Sequence, residues 1–469
     1  MHHNTMSPTT HAMLGFAADW QLSKKVETLQ TFLGEDFFHP SGIMYAMWHW
    51  AGDELRPFVA RDFDGMSIFK VKAGTSNEAM QNHENSPYVA GLFLWSQCLR
   101  YQVTKEEEAL RYAAKAFRSL DVNYRLAEHR GEPGFFCKPY NLEYSRESSP
   151  DQYAPILQGF WEYRQLGDDQ TRARIDQMLP AMSDWWRKRN YRLVYFDHKG
   201  EGNWLDDGPL ASAQYGPLFV VLHLMAHRIT GREEYRVEAD RILARLIPFP
   251  WRHDVSRERM LKQGISYWPE RLHGYEYDVS RRKYLHFDWE NYACIWFAAS
   301  AAAWLMENEA SLKPMLQHAL GNYFRHMQQN VLAADGLPFY WTQTDLETGK
   351  CYPLVCPRIS TDRKDNLIPF DWNFLAYTSE IRWGDNTARL LDTALLAHHY
   401  APGFSPGALV LAKNMFAKLN RQRLLWLIDP DGRQLMTEDR WIGETLSSEV
   451  PVFSLLSYWR ARRHNIPLE

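Results

Sequence analysis

Segments with apolar residues at helical spacing come in pairs along most of the chain. The first segment of a pair is the more apolar, as in 293–299, whereas the second carries charges such as Arg172, Arg174 and Arg187. Because a helix that is apolar all round is buried and a helix with a charged face lies at the surface, we expect first helices to be inner and second helices outer. The predicted pairs are 86–101 with 105–128, 151–166 with 169–190, 209–230 with 232–248, 288–307 with 311–330, 371–383 with 385–399, and 447–463 with 18–33.

The joints inside these pairs repeat at a regular distance. Residues 104–107 (Thr-Lys-Glu-Glu) match the sequence pattern of a capping box. Gly167, Gly231 and Gly384 stand where a first helix must stop, followed by polar or acidic residues that favour a helix start, and a weaker joint of this kind lies near 308–309. The joints recur roughly every 63 to 77 residues, which is the period of a helical hairpin repeat. Six such hairpins closing on themselves predict an all-α (α/α)6 toroid with short β-hairpin loops.

Nothing in the composition marks a boundary between domains. The chain has 469 residues, 24 prolines and 26 glycines, and neither residue type gathers into a linker. We therefore expect one toroid domain over 1–469. Short strand-like patches at 191–196 and 424–428 are interpreted as its loop hairpins.

Charge and cysteine content exclude several classes of protein. Lys and Arg total 53 against 57 Asp and Glu, with no long basic run, so a nucleic-acid surface or a polybasic membrane patch is not expected. The most apolar stretch, 293–306, is shorter than the roughly 20 residues of a membrane-spanning helix. Five cysteines in so long a chain indicate no disulfide framework. With no signal peptide at its start, the chain is expected to be cytoplasmic.

Polar and aromatic residues concentrate just before the predicted inner helices, at 82–88, 144–153, 203–209, 286–292 and 369–373. In a toroid these segments open on one face, where they would line a cleft. Asp, Ser and Asn at such positions are also common helix caps, but a cap needs no aromatic neighbour. Aromatic rings beside carboxylates and amides suit a sugar, which stacks on rings and hydrogen-bonds through its hydroxyls.

Carboxylates in these segments are the candidates for catalysis. Glycosidic cleavage uses a proton donor and a second group that activates water or the anomeric carbon. Asp151 is the first choice because it opens an inner helix among polar neighbours, and Glu84 and Asp207 are its leading partners from the adjacent hairpins. The predicted substrate-binding residues are His83, Tyr88, Arg146, Gln152, Trp204, His286, Asp288, Trp289, Glu290, Asp371 and Trp372.

The succession of hairpins, with the run 150–157 (Pro-Asp-Gln-Tyr-Ala-Pro-Ile-Leu) at an inner-helix start, resembles the six-hairpin glycosidase superfamily. Within it the chain loosely resembles the unsaturated glucuronyl and rhamnogalacturonyl hydrolases. The resemblance implies that Asp151 acts as general acid/base, protonating the vinyl ether of an unsaturated uronic acid without metal or cofactor. Gln152 and Tyr153 depart from the Gly or Asn that follows the catalytic Asp in those enzymes.

An acidic sugar also needs a cation for its carboxylate. Lys138, Arg146, Arg358 and Arg363 lie in loops near the predicted cleft, and Arg146 is the nearest in sequence to Asp151. The expected function is therefore a glycoside hydrolase acting on uronic-acid-containing or related oligosaccharides.

Two other functions remain open. A uronate lyase or sugar epimerase on the same toroid would remove a proton with a His or Tyr, and the candidates are His83, Tyr88, His286 and Tyr292. A non-catalytic sugar-binding toroid would bind without turnover. In each case the expected partner is an oligosaccharide or related sugar, with no cofactor, metal, nucleic acid or membrane, and a homo-oligomer is compatible with the sequence.

Overall fold

A computed structural model describes residues 7–15, 20–50, 53–63, 75–196, 200–203, 205, 209–246, 277–278, 283–329, 341–345, 351–354, 388–418 and 445–468. Most of these residues are helical. The helices are α1 Pro8–Leu14, α2 Leu22–Glu35, α3 Asn77–His83, α4 Ser86–Thr104, α5 Glu107–Glu128, α6 Pro150–Leu166, α7 Asp169–Lys188, α8 Pro209–Thr230, α9 Glu233–Leu246, α10 Asp288–Asn308, α11 Lys313–Gln329, α12 388–400, α13 Ala408–Lys418 and α14 Glu449–Arg463.

Among the described residues, six helices form an inner ring in the order α4, α6, α8, α10, α12 and α14. Helix α4 packs against both α6 and α14, α6 reaches α8, and α8 packs against α10. Asp392 of α12 joins the neighbouring helices by accepting from Trp296 Nε1 at 2.8 Å and Arg460 Nε at 2.7 Å. Outside the ring, α5, α7, α9 and α11 pack on the inner helices that precede them, and α2 packs on α14. The predicted (α/α)6 toroid is confirmed.

Burial separates inner from outer helices as the hydrophobic pattern predicted. Every residue of α4 from Ser86 to Arg100 is buried. Helix α5 instead buries a single stripe that includes Ala109, Tyr112, Ala113 and Ala116, and it exposes its charged side. Spacings of three and four residues place that stripe on one face of a helix.

Glycines bring α4 and α6 into unusually close contact. A Cβ at Gly91 would lie 2.7 Å from the backbone nitrogen of Ile156, and one at Gly159 would lie 2.9 Å from the carbonyl oxygen of Gly91. Any larger residue would push the two backbones apart. This contact fixes the spacing of the two helices whose starts carry Asn85 and Asp151.

The inner ring holds a buried charged group. Asp392 is fully buried, and it accepts from both Arg460 Nε at 2.7 Å and Arg460 Nη2 at 3.2 Å. The Arg460 guanidinium lies 4.4 Å from the ring centroid of Trp95. A buried ion pair needs such additional partners to offset the loss of hydration. This pair therefore ties α10, α12 and α14 together and stacks on α4.

The fifth predicted hairpin was misplaced. Residues 385–399 were expected to form an outer helix, but 388–397 are all buried and α12 belongs to the inner ring. Its charged residues Arg389 and Asp392 are paired inside the toroid, which is why the charge pattern misled the sequence prediction. The next helix in the chain is α13, which buries one face and exposes residues such as Val410. Residues 371–383 lie outside the described residues.

The predicted capping box at 104–107 was also wrong. Thr104 is the last residue of α4, and its hydroxyl donates to the Arg100 carbonyl. Glu106 precedes α5 and makes no side-chain cap hydrogen bond. The turn is formed instead by Lys105 in the left-handed region, with φ 60°.

Short strands join the helices. They are β1 Met47–Trp50, β2 Leu55–Arg56, β3 Arg192–Phe196, β4 Gly200–Asn203, β5 Tyr277–Asp278, β6 Lys283–Phe287, β7 Trp341–Asp345, β8 Cys351–Leu354 and β9 Thr445–Ser447. The β3–β4 pair confirms the loop hairpin predicted at 191–196, while 424–428 lies outside the described residues.

Two further sheets were not predicted. Strands β5 to β8 form an antiparallel sheet in chain order, and β6 leads directly into α10. Strand β1 pairs with both β2 and β9, so the beginning and the end of the chain meet beside the start of α14. Among the described residues, no helix combines the length and apolar character that crossing a bilayer requires.

Candidate active site

The starts of α4, α6 and α14 meet at one end of the ring, where polar side chains replace the apolar packing. Asn85 precedes α4, Asp151 and Gln152 lie in the first turn of α6, and Glu449 is the first residue of α14. Arg389 reaches the same point from α12. The polar junction, as we call these five residues, is the candidate active site.

Hydrogen bonds connect the polar junction in a continuous path. Arg389 Nη2 donates to Glu449 Oε2 at 2.5 Å, and Asn85 Nδ2 donates to Glu449 Oε1 at 3.1 Å. Gln152 Nε2 donates to Asn85 Oδ1 at 3.1 Å and to Asp151 Oδ2 at 3.4 Å. All members except Asp151 are buried, with exposures between 0% and 7%. Burying polar groups at an otherwise apolar interface costs desolvation free energy, and their retention here favours a functional role.

Asp151 is not a helix cap. The residue before α6 is Ser149, which makes no side-chain cap hydrogen bond, and Asp151 is the second residue of the helix. Its Oδ1 is buried, and no described residue hydrogen-bonds to it. The hydroxyls of Ser148 and Ser149 are also buried, and no described residue hydrogen-bonds to them. The start of α6 therefore holds a carboxyl oxygen and two hydroxyls to which no described residue hydrogen-bonds.

Glu84 lies next to Asn85 and forms an ion pair. Lys138 Nζ donates to Glu84 Oε1 at 2.9 Å, and the Lys138 side chain is only 2% exposed. The loop is held in place because the Lys138 backbone nitrogen donates to the Glu147 carbonyl at 2.8 Å, and Ser145 Oγ donates to the Lys138 carbonyl at 2.6 Å. Of the four cations that the sequence offered for an acidic sugar, Lys138 is thus buried beside a candidate catalytic carboxylate. Arg146 is exposed, and Arg358 and Arg363 lie outside the described residues.

His83 packs as an aromatic residue. Its ring stacks on Tyr45 with centroids 5.4 Å apart, and it lies edge-on to His39 at 6.1 Å. Burial lowers the pKa of His83 to about 3, and His39 contributes to the shift. An imidazole with so low a pKa is neutral at physiological pH and a weak proton acceptor.

Tyr88 lies in the first turn of α4 and is surrounded by rings. Trp296, Phe297 and Phe453 lie within 6.5 Å of its ring centroid. Burial raises the pKa of Tyr88 well above its ordinary value, although the nearby Arg389 guanidinium opposes the shift. The Tyr88 side chain is therefore better suited to uncharged packing within the site than to the role of a general base.

The remaining predicted residues fall in two groups. His286 lies in β6, and Asp288, Trp289, Glu290 and Tyr292 lie at the start of α10, but the structure describes only their backbone. That backbone confirms the helix start at the first Phe-Asp-Trp. The residues outside the described ranges are Trp204, Asp207, Asp371 and Trp372, which include the second Phe-Asp-Trp.

Three members of the polar junction were absent from the sequence prediction. Asn85 stood inside the polar segment 82–88 but had the character of an ordinary helix cap. Glu449 opens the predicted sixth inner helix, and an acidic residue in a first turn is common. Arg389 was assigned to an outer helix. Only the packing of four helices shows that these side chains meet.

Comparison with known proteins identifies the fold. No protein-family model and no curated protein matches the chain. A solved sugar epimerase from a ruminal bacterium matches with a TM-score of 0.52 at 11% identity, covering 93% of this chain and 97% of that one. The cellobiose 2-epimerase of Bacillus thermoamylovorans gives 0.52 at 10% identity, with coverages of 93% and 97%.

An unsaturated glucuronyl hydrolase specific for heparin matches with a TM-score of 0.47 at 11% identity, covering 96% of this chain and 99% of that one. Together with the ring of inner helices, the two epimerase matches show that the chain has an (α/α)6 toroid fold.

Proposed function

We propose that the protein is a carbohydrate-active enzyme, and more specifically a glycoside hydrolase that uses Asp151 as its proton donor. The observation that carries this proposal is the Asp151 carboxyl group. One of its oxygens is held by Gln152, and no described residue hydrogen-bonds to the other, at the end of the ring where four inner helices meet. A carboxyl group with one oxygen held and the other not hydrogen-bonded to any described residue is suited to general acid catalysis.

The chemistry follows from the arrangement of carboxylates. Asp151 protonates the leaving oxygen of a glycosidic bond, or the vinyl ether of an unsaturated uronate, while a second carboxylate activates water. Glu84 and Asp207 are the proposed second groups. Glu84 is held by Lys138, so its carboxylate is oriented, and Lys138, whose charge Glu84 balances, is the proposed cation for the carboxylate of an acidic sugar. The proposed substrate class is therefore a uronic-acid-containing or related oligosaccharide.

Sugar epimerisation is the second candidate. The observation in its favour is that the two solved structures named above with a TM-score of 0.52 are sugar epimerases. His286 and Tyr292 would then be the proposed bases, since the pKa of His83 is lowered to about 3 and the pKa of Tyr88 is raised. This mechanism would leave the glycosidic bond intact.

A panel assay separates these functions. The purified protein is incubated with intact and lyase-digested acidic polysaccharides, and the absorbance of the unsaturated uronate is followed with product analysis. Hydrolysis of an unsaturated sugar is expected to remove the absorbance band from the digested material. A rising band on intact polymer would indicate elimination, and a changed sugar stereocentre without bond cleavage would indicate epimerisation. Either result would overturn the hydrolase proposal.

A further inference from the structure

The hydrogen-bond path of the polar junction begins and ends on groups that can only donate. At one end is Arg389, whose guanidinium has no acceptor. At the other end is the backbone nitrogen of Tyr88, which donates to Gln152 Oε1 at 3.1 Å. Tyr88 lies in the first turn of α4, where a backbone N–H has no carbonyl partner within its own helix. Gln152 of α6 accepts from it instead.

These two ends determine the orientation of both amides between them. Because Gln152 Oε1 accepts from Tyr88, its nitrogen must point to Asn85 and Asp151. Asn85 must then present its oxygen to Gln152 and its nitrogen to Glu449. Glu449 accepts at both oxygens, one from Asn85 and one from Arg389. Reversing either amide would place two donors or two acceptors face to face.

We propose that Glu449 and Asn85 are positioning residues that act through Gln152 on the Asp151 carboxyl group. This inference rests on the proposed function. The path presents an N–H to Asp151 Oδ2, so in the neutral acid the proton lies on Oδ1. That oxygen is the one without a hydrogen-bond partner among the described residues. The path thereby selects which oxygen of Asp151 delivers the proton to the substrate.

The polarity of the path makes a swap experiment possible. In Asn85→Asp, a carboxylate oxygen faces the Glu449 carboxylate, and in Glu449→Gln, an amide nitrogen faces the Asn85 amide nitrogen. Each single variant therefore contains one mismatched contact. Glu449→Gln also replaces the carboxylate that pairs with the buried Arg389 by a neutral amide, so a lower unfolding temperature is expected of both variants that carry it. In the double variant, Arg389 donates to the amide oxygen now at position 449, and the amide nitrogen there donates to the carboxylate now at position 85. Gln152 donates to the other oxygen of that carboxylate. Each contact along the path again joins a donor to an acceptor, and the net charge equals that of the wild type.

The test measures kcat and KM on lyase-digested acidic polysaccharide, together with thermal unfolding of each variant. Each single variant is expected to lose at least about 10-fold in kcat with little change in KM, since small displacements of a catalytic group are costly. The double variant is expected to recover to within about 3-fold of the wild type. A purely structural role would move the unfolding temperature while leaving kcat per folded molecule unchanged.

Glu162→Gln is the matched control. Glu162 also joins α6 to α14, by accepting from Arg463 at 3.0 Å, but it lies 11 positions after Asp151, about 16 Å along the helix. Its kcat should stay at the wild-type value. An active wild type with unaffected single variants, or a double variant as impaired as the singles, would overturn the inference alone. If Asn85→Asp does not fold, Glu449→Gln and the double variant decide the question. A wild type without turnover on any probe would overturn the proposed function and this inference with it.

Discussion

Asn85 and Glu449 are 364 positions apart in sequence, and their side chains are joined by a 3.1 Å hydrogen bond. The bond connects the residue before the first inner helix to the first residue of the last one. It therefore closes the ring at the same place where Gln152 reaches Asp151. The candidate active site thus depends on contacts that exist only after the toroid has closed.

Asp151→Asn should remove turnover while keeping the fold. The amide cannot donate a carboxylic proton, and general acid/base groups contribute about 100-fold or more to the rate. We expect kcat to fall by at least about 100-fold, with the thermal unfolding temperature near that of the wild type. The matched control is Asp169→Asn, because Asp169 opens the neighbouring helix α7 and its side chain is 98% exposed. Unchanged turnover of Asp151→Asn would contradict the assignment.

Gly91→Ala should separate α4 from α6. The new Cβ would lie 2.7 Å from the Ile156 backbone nitrogen, which cannot move without moving its helix. Overpacking of this kind costs about 1–3 kcal/mol, and the shift would also lengthen the contacts of Gln152 with Tyr88 and Asn85. The free energy of unfolding, measured with urea, and kcat, measured on the same preparation, should both decrease. Gly403→Ala is the control because a Cβ at that position would meet nothing within 4 Å, and normal values for Gly91→Ala would refute the prediction.

Asp392→Asn should destabilise the toroid. The substitution leaves Arg460 buried without its carboxylate and weakens the contact with Trp296. Breaking a buried ion pair by removing one partner costs about 3–5 kcal/mol. Denaturant unfolding should show this decrease in the free energy of unfolding. Asp176→Asn removes a partly exposed pair with Arg164, and its free energy of unfolding should decrease by about 1 kcal/mol or less. Equal losses in the two variants would contradict the role assigned to Asp392.

His223 should make the stability of the protein fall on acidification. It lies fully buried, with Ser183 Oγ 2.6 Å from its Nδ1 and Tyr191 Oη 2.7 Å from its Nε2. The Tyr191 hydroxyl also donates to Glu238, so it accepts from Nε2–H, and Nδ1 accepts from Ser183. Burial lowers the pKa of His223 to about 3; Glu238 opposes the shift, whereas Arg187 and Arg241 reinforce it.

The sign follows from comparing the folded and unfolded states. Between pH 6.5 and about 3 the unfolded chain binds a proton at His223 and the native protein does not, so stability decreases as the pH falls below 6.5. From pH 7.5 to 5.5 this residue should account for about 1.4 kcal/mol of the loss. Urea unfolding at the two pH values measures it. His223→Gln should show a smaller decrease than the wild type, and an equal decrease would contradict the prediction.

Much of the fold could be predicted from the sequence because helix periodicity is a local property. Four of the hairpins, including α4 with α5 and α6 with α7, begin and end within a few residues of the predicted boundaries. The pairing of 447–463 with the N-terminal segment was also correct. The exception was α12, where Arg389 and Asp392 gave a buried helix the charge pattern of a surface one.

The candidate site could be predicted only in part. Asp151 and Gln152 were recognisable because polar residues before an apolar run are visible in the sequence. Glu449 and Arg389 were not recognisable, because the residues around each of them in sequence are ordinary for a helix. Their pairing depends on a partner from another helix. Lys138 was one of four candidate cations, and its burial beside Glu84 distinguishes it from the exposed Arg146.

The sequence by itself determined that the hairpins repeat, where most of their helices lie and, with the exception of α12, which of these helices are buried, since these properties depend on neighbours within a few turns. The tertiary structure decided which polar groups meet and which way their hydrogen bonds run. The orientation of the Gln152 amide depends on Tyr88 in one helix and Arg389 in another. No local pattern encodes that relationship, because it exists only when the ring is closed.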